Sequence, residues 1–441
     1  MTRSAWQARN LAAALLSGPW TEKALQRRCY RALGHRNRRA QRDLITGLLA
    51  TYPAEFHDSP RALSDVLAAS AHFKAAIRAR STREAHLSPV LVPARFAPSP
   101  ALGELDVPRL ATPGDLADWL GIPASRMDWL ADKIRQHSHT AIPVLQNYNY
   151  AFIPKRSGRK RLLEAPKPEL KAIQRRILTE ILNRLPTHDA AHGFVVGRSC
   201  LTGAGPHVGQ EIVVTVDLVD FFPSTPIGRV HRTFRSLGYP WAVACLLTGL
   251  TTTATPLPIR QRLKRKSGAT WHEIKRLAAA HLPQGAPTSP ALANLAAWRL
   301  DRRLTGLSAS FGATYTRYAD DLAFSGPRSF ARGLEDFMSA AADIVEDEGY
   351  AVNVTKTRIM PRSSRQSVTG VLVNHHLNLP RDEFDTLKAI LHNCIVKGPY
   401  GENRASHPDF RAHLEGRVEW FENVNAGKAK KLRQLINRIR W

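Results

Sequence analysis

Thr316-Arg317-Tyr318-Ala319-Asp320-Asp321-Leu322-Ala323-Phe324 decides how the rest of this chain is read. Two adjacent carboxylates sit within an apolar and aromatic run that favours β-structure. The stretch therefore predicts a hairpin with Asp320 and Asp321 at or beside its turn. Asp is ordinary at a turn, and an isolated Asp-Asp reads as a solvated loop. A matching stretch upstream reverses that reading. Glu211-Ile-Val-Val-Thr-Val216 is a β-branched run ending in Asp217, followed by Leu218-Val219-Asp220-Phe221-Phe222. Two strands that end in carboxylates can lie side by side and direct three acids at one spot. Carboxylates that close repel one another unless cations lie between them. This is the layout of phosphoryl transfer on two metal ions.

The bulk numbers set the frame. A chain of 441 residues can hold two or three domains, each with its own core. Its apolar fraction of 43% is that of a globular protein. No run of 18 apolar residues offers a membrane span. Arg3 and Arg9 precede a very short apolar run, Leu11 to Leu16, with no clean cleavage site after it. Residues 1–20 therefore predict an amphipathic helix rather than a signal peptide. Cys29, Cys200, Cys245 and Cys394 are scattered without a Cys-x-x-Cys pair, so neither a zinc site nor a disulfide framework is indicated, which suits a reducing cytoplasm. Charge is the strong signal. With 63 Lys and Arg against 37 Asp and Glu, the formal net charge is +26, and a polyanion is the expected partner. The cations are spread along the whole chain, which favours nucleic acid over a membrane.

Residues 1–88 predict a basic helical region, with Arg27-Arg28, Arg31, His35-Arg36, Arg38-Arg39 and Arg42 on one face. Six prolines between Pro89 and Pro113 mark a linker or extended wrap at 89–113. Tyr148 to Pro154 and Arg161 to Pro166 predict the two strands of a hairpin whose tip, Lys155 to Lys160, suits gripping a triphosphate. Arg260, Arg262, Lys264, Arg265 and Lys266 predict an exposed basic loop. Pro283-Gln284-Gly285 is a rigid turn that would hold Gln284 and the Gly285 amide in fixed directions. Ala351 to Thr355 and Val368 to Val373 predict strands, with Lys356 just past the first. Asp382 to Trp441 predicts a basic helical tail that includes Lys430 and Lys431.

In order, a basic hairpin, Asp217 with Phe222, Pro-Gln-Gly, Tyr-Ala-Asp-Asp and Lys356 resemble the motif series of reverse transcriptases. The resemblance is closer to bacterial retron enzymes, through Tyr150-Ala-Phe152-Ile-Pro-Lys-Arg-Ser-Gly158, Val368-Thr-Gly370 and His413-Leu-Glu-Gly-Arg-Val. It covers roughly residues 112–441. One position departs from it: the family tends to have Asn-Ala-x-x-His before the Asp217 strand, and Gly203 stands here in place of that Asn, with Ala204 and His207 retained.

The resemblance implies an α+β right-hand polymerase. Fingers and a palm with an antiparallel sheet would occupy 114–375 and a helical, RNA-binding thumb 376–441, beside the additional N-terminal helical region. Asp217, Asp320 and Asp321 would hold two Mg²⁺. Lys160 and Arg161 would contact the triphosphate, and Gln284 the incoming nucleotide and template. Phe222 would stack under the sugar and exclude a 2′-OH, so that dNTPs are the substrates; the same ring also reads as a core aromatic. Lys356 would act as a general acid toward pyrophosphate, or contact phosphate or backbone. His207, Val368, Thr369, Gly370, Lys430 and Lys431 would bind RNA. The implied product is branched, RNA-linked DNA primed from a guanosine 2′-OH of a cognate non-coding RNA, with a role in antiphage defence and a separate or fused effector. Two other readings compete: a group II intron-like or diversity-generating reverse transcriptase, and a catalytically silent RNA-binding scaffold.

Overall fold

The computed structural model describes residues 3–33, 38–53, 56, 60–78, 95–99, 105–132, 136–138, 140, 142–154 and 158–441. They form two compact units that interleave along the chain, Met1–Leu185 with Thr225–Leu292, and Pro186–Ser224 with Ala293–Trp441. This division by packing crosses the linear one read from the sequence.

In the first unit, five helices between Arg3 and Arg78 bury their apolar stripes in one core. Leu11, Leu15, Leu25, Ile45, Leu63 and Phe73 sit at its centre. Arg27, Arg31, Arg38, Arg39 and Arg42 are exposed, as the basic face requires. Arg28 is not part of that face. It is buried, and its guanidinium donates to the carbonyls of Pro19 at 2.6 Å and Gly18 at 3.3 Å. His35 and Arg36 lie outside the described residues. Within the proline-rich stretch, Ala97 and Ser99 donate backbone bonds to the Gly238 and Ser236 carbonyls. Gly238, at φ 99°, has no room for a side chain against Pro98. This part is an extended wrap.

Strands β1 (Tyr148–Pro154) and β2 (Lys160–Pro166) form the expected antiparallel hairpin. Of its tip, Lys155, Arg156 and Ser157 lie outside the described residues. The expected basic loop is helical instead, over Leu257–Ser267 and Trp271–Ala278. Pro258 sits in the first turn of one helix, and Gly268 closes it at φ 60°. Thr270 and Glu273 form a capping box that starts the next. These local stop and start signals outweigh the charge repulsion between neighbouring cations.

The second unit is built on a four-stranded antiparallel sheet. Strands β3 (Ile212–Leu218), β4 (Thr314–Tyr318), β5 (Asp321–Gly326) and β6 (Val352–Pro361) lie in the order β4-β5-β3-β6. One face packs Tyr315 and Phe324 against Phe337 of the helix Leu334–Asp347. The other packs Val213, Ala323 and Met360 against Val368, Val371 and Val373. With both faces covered, β3 reads as a nearly continuous apolar run, and its register is strongly specified. Val368 to Val373 is not one strand. It is a tight hairpin, β7 (Ser367–Val368) and β8 (Val371–Leu372), whose turn residues Thr369 and Gly370 have φ of 51° and 86°. Positive φ at both central positions suits the right-handed twist of a two-residue hairpin. The C-terminal helices Arg381–Lys397, Phe410–Val424 and Ala426–Ile436 share a core of Leu387, Leu391, Leu414, Val418 and Leu432.

His207 corrects one expectation. It is wholly buried, its Nδ1 2.7 Å from the Ser325 hydroxyl and its Nε2 2.7 Å from that of Thr316. It has no surface to offer an RNA and pins the segment before β3 to the sheet. Burial, aided by His192, pushes its imidazole down to about 4. The unfolded chain takes up this proton near pH 6.5, whereas the native one does so only near 4. The stability it contributes is therefore whole above pH 6.5 and lost as pH falls through 4, by about 3 kcal/mol over that window. Melting temperatures measured from pH 7 to 4.5 should fall more steeply for the native sequence than for His207→Gln. Equal slopes would refute the assignment.

Candidate active site

The sheet carries the three acids by its own register. Asp217 is the penultimate residue of β3 and lies directly opposite Asp321, the first residue of β5. Asp320 lies in the two-residue turn between β4 and β5, and its carbonyl accepts a 2.9 Å bond from the Leu218 amide. The turn is strained, because Ala319 sits at φ 57° where glycine is usual. For an L-residue that conformation costs about 1–2 kcal/mol.

A buried cluster under the turn over-determines it. Arg317, with no exposed surface, makes a bidentate pair with Asp301, Nε to Oδ1 at 2.7 Å and Nη2 to Oδ2 at 2.6 Å. Its Nη1 donates to Asn294 Oδ1 at 2.8 Å and to the Ala319 carbonyl at 3.1 Å, inside the strained turn. Tyr315 donates to Asp301 at 2.9 Å, and the Asn294 amide donates to the Gly193 carbonyl at 2.8 Å. Removing one partner of such a pair leaves an uncompensated buried charge, at about 3–5 kcal/mol. Sequence reasoning missed this cluster. The available signal was an arginine inside a short strand of Thr and Tyr, next to the turn that carries the acids.

Electrostatically the acids are under pressure. Asp321 keeps an exposed edge, yet the protein packed around its carboxyl and the charges of Asp320 and Asp217 push it up to about 6, against a smaller pull from Lys356. Lys356 reaches Asp217 through an irregularity in the sheet. Asn353 and Arg358 of β6 lie opposite Asp217 and Thr215, so residues 354–357 bulge out against Val216 alone. The Lys356 ammonium lies 2.8 Å from Asp217 Oδ1, and the Asn353 amide donates to Oδ2 at 3.0 Å. Among the described residues, no three Asp, Glu, His or Cys side chains are gathered closely enough to hold an ion as they stand. The donor set still fits a hard divalent cation: two carboxylates face each other on one strand pair with the third in the adjoining turn, and burial together with the charges of the other two pushes Asp321 toward protonation.

Phe222 follows β3 in the short helix Phe221–Ser224, half-buried and 6.3 Å between ring centroids from the exposed Phe194. Asp217, Phe222, Asp320, Asp321 and Lys356 all belong to the second unit, while Lys160, Arg161 and Gln284 belong to the first. Within the first unit, the Gln284 carbonyl accepts from the Glu164 amide at 2.8 Å, which sets the Pro-Gln-Gly turn against the strand that carries exposed Arg161. Gly285, at φ 123°, lies too close to Leu163 for any side chain. Glu164, fully buried, is held by Thr255 at 2.7 Å and His281 at 2.8 Å. Burial pulls the His281 imidazole down, but the Glu164 charge and hydrogen bond outweigh it and leave the group raised. Of the residues expected to meet RNA, Val368 is buried in the core like His207, Thr369 is half-buried, and Gly370, Lys430 and Lys431 are exposed.

A family profile described as reverse transcriptase (RNA-dependent DNA polymerase) matches residues 153–373. The chain is 41% identical over 332 residues to the retron Mx65 reverse transcriptase of Myxococcus xanthus, which covers 75% of this chain and 72% of that protein. It is 41% identical to the retron Mx162 enzyme of the same organism over 63% of this chain and 58% of that one. To the retron Ec86 reverse transcriptase of Escherichia coli it is 33% identical, over 66% and 81%. The chain belongs to the retron reverse transcriptases. Its fold is that of a right-hand polymerase, and it is an RNA-directed DNA polymerase working on nucleic acid. Enzymes of this family use divalent metal ions. No helix among the described residues is long and apolar enough to cross a membrane. The glycine that departs from the retron pattern has a packing reason. A Cβ on Gly203 would come within 3.2 Å of the His192 Cβ, and the Gly203 carbonyl accepts from Thr316 at 3.0 Å.

Gly193 gives a test of the turn that leaves the acids untouched. Its Cα lies so close that an added Cβ would stand 2.6 Å from the Ala319 amide nitrogen. Gly193→Ala should displace the turn and lower kcat for primer extension by roughly 10²-fold, with the dNTP KM little changed. An unaltered kcat in steady-state assays would remove this support from the site.

Proposed function

We propose that this enzyme copies part of a cognate structured non-coding RNA into single-stranded DNA, primed from a guanosine 2′-OH of that RNA, to give branched RNA-linked DNA. The observation that carries the chemistry is the register of Asp217 opposite Asp321 with Asp320 in the adjoining turn. In this reading the three carboxylates hold two Mg²⁺. When bound, the ions supply acidity to the attacking hydroxyl and neutralise charge on the leaving pyrophosphate. The hydroxyl oxygen forms the new bond to the α-phosphorus as the bond to pyrophosphate breaks, and the hydroxyl proton passes to solvent water.

The protein's own groups orient these partners. Lys160 and Arg161 are assigned to the triphosphate, Gln284 to the nucleotide and template, and Phe222 to the sugar face. Lys356, beside Asp217, is assigned to the reacting phosphates, as proton donor to pyrophosphate or as a phosphate contact. Half-buried Thr369 and exposed Gly370, Lys430 and Lys431 are assigned to RNA, with the net charge of +26 in support. Four free cysteines suit a cytoplasmic setting. The retron reading brings with it a role in antiphage defence together with an effector protein.

Asp320→Asn combined with Asp321→Asn should lower DNA synthesis on an RNA template by at least roughly 10²-fold while leaving RNA binding in place. Undiminished synthesis in that variant would end the metal-dependent reading. Phe222→Ala should admit ribonucleotides and cut the dNTP over rNTP preference roughly tenfold. An unchanged preference in primer extension would assign the ring to the core alone.

A further inference from the structure

The C-terminal helical region contains a cleft of about 500 Å³ that no role above uses, a size in the range of small-ligand sites. Its aromatic wall is a stack. The imidazoles of His407 and His413 lie 3.8 Å apart and 13° from parallel. The Phe410 ring lies within 14° of both planes, at 6.3 Å from His413 and 6.5 Å from His407. All three rings are only partly buried, Phe410 packing with part of its surface against the helical core. Arg404 and Arg417 line the same cleft. The side chain of Arg404 is 82% exposed, with its nearest acid, Glu402, 4.0 Å away.

The wall is built rather than incidental. Asn403 clamps the loop by donating from Nδ2 to the His407 carbonyl at 3.0 Å and accepting the His407 amide on Oδ1 at 2.8 Å. Between them Ser406 is held at φ 52°, a left-handed conformation that L-residues seldom adopt. Asp409 caps the helix that carries Phe410 and His413 by accepting from the Ala412 amide at 2.8 Å. Strain at 406 and a cap at 409 thus fix two neighbouring stretches so that three rings lie parallel. Burial, His407 and Arg417 together lower the His413 imidazole from its ordinary value.

Parallel rings beside two guanidinium groups select a flat π ligand that carries an anion. An unpaired base with its flanking phosphate is that ligand, whereas a base inside a duplex has both faces covered. We propose that this cleft captures one unpaired nucleobase of a nucleic-acid strand, stacked on the His407, His413 and Phe410 platform with its phosphate on Arg404 and Arg417. The proposal deepens the nucleic-acid reading of the helical region and rests on it.

The test is photo-crosslinking of the full chain to a 5-iodouridine-bearing single-stranded RNA oligonucleotide, with peptides mapped by mass spectrometry. Parallel arms use the corresponding single-stranded DNA, a blunt RNA duplex holding the same residue, and free 5-iodouridine monophosphate. Single strands should crosslink within residues 403–417, and the duplex roughly tenfold less there. The RNA and DNA arms tell which strand is the source, and efficient capture of the free monophosphate alone would overturn the proposal. His407→Ala with Phe410→Ala should reduce that crosslink roughly tenfold. Arg404→Ala, a surface change that cannot unfold the region, should reduce it several-fold. Crosslinks that ignore all three changes would overturn the proposal. Duplex crosslinks in 381–441 without a single-strand crosslink at 403–417 would remove this site alone. No crosslink anywhere in 381–441 would remove the wider reading with it.

Discussion

Mutual repulsion among Asp217, Asp320 and Asp321 is the constraint around which the second unit is arranged. The backbone pairing of β3 with β5 forces two of these carboxylates face to face, and the turn adds the third. A sheet of weakly specified register could relieve the repulsion by slipping. This one cannot, because a one-residue slip would turn Val213, Ala323 and Phe324 out of cores on both sides. The repulsion is therefore retained and is visible in Asp321, which is pushed up to about 6 chiefly by burial and then by its two neighbours. A cation is the natural counterpart, and the family's use of divalent ions follows from the same electrostatics.

Holding repelling groups in place requires support from below, and the Arg317 and Asp301 pair provides it. An ion pair without solvent contact is a weak source of net stability, since desolvation offsets the attraction. Its value here is directional. One guanidinium joins a helix through Asp301, a second helix through Asn294, and the turn through the Ala319 carbonyl. Small rotations of the turn would break charged hydrogen bonds that have no water to replace them. Lys356 acts from the solvent side. The bulge in β6 delivers its ammonium to Asp217 while leaving the lysine itself largely exposed.

The first unit uses the same device with different parts. Glu164, His281 and Thr255 form a buried polar knot beneath the Pro-Gln-Gly turn, and the backbone bond from Glu164 to Gln284 ties that turn to β2. In both units a residue assigned to substrate stands on a short, conformationally restricted turn, and a buried ionic group fixes the turn. Neither buried group was evident from residue spacing. Arg317 stands in the strand beside the paired acids, but its role depends on Asp301, sixteen positions away on a helix. Glu164 stands in a short strand, and its partners Thr255 and His281 are 91 and 117 positions away. The basic loop expected within 251–276 is largely helical because capping residues and proline placement carry more information about backbone than charge density does.

Local sequence by itself determined the hairpin, the β-branched strand, the order of the acids along them and the strongly basic character of the chain. These depend on side-chain alternation, turn chemistry and composition, all of which act over a few residues or by simple summation. Tertiary structure alone decided which polar residues face inward. His207 and Val368 carry a motif that reads as RNA contact, yet one pins the sheet and the other fills its core. Arg28 sits in a basic run but satisfies two carbonyls inside the helical core. Whether a polar side chain is buried depends on partners brought from distant parts of the chain, and no local pattern encodes those meetings.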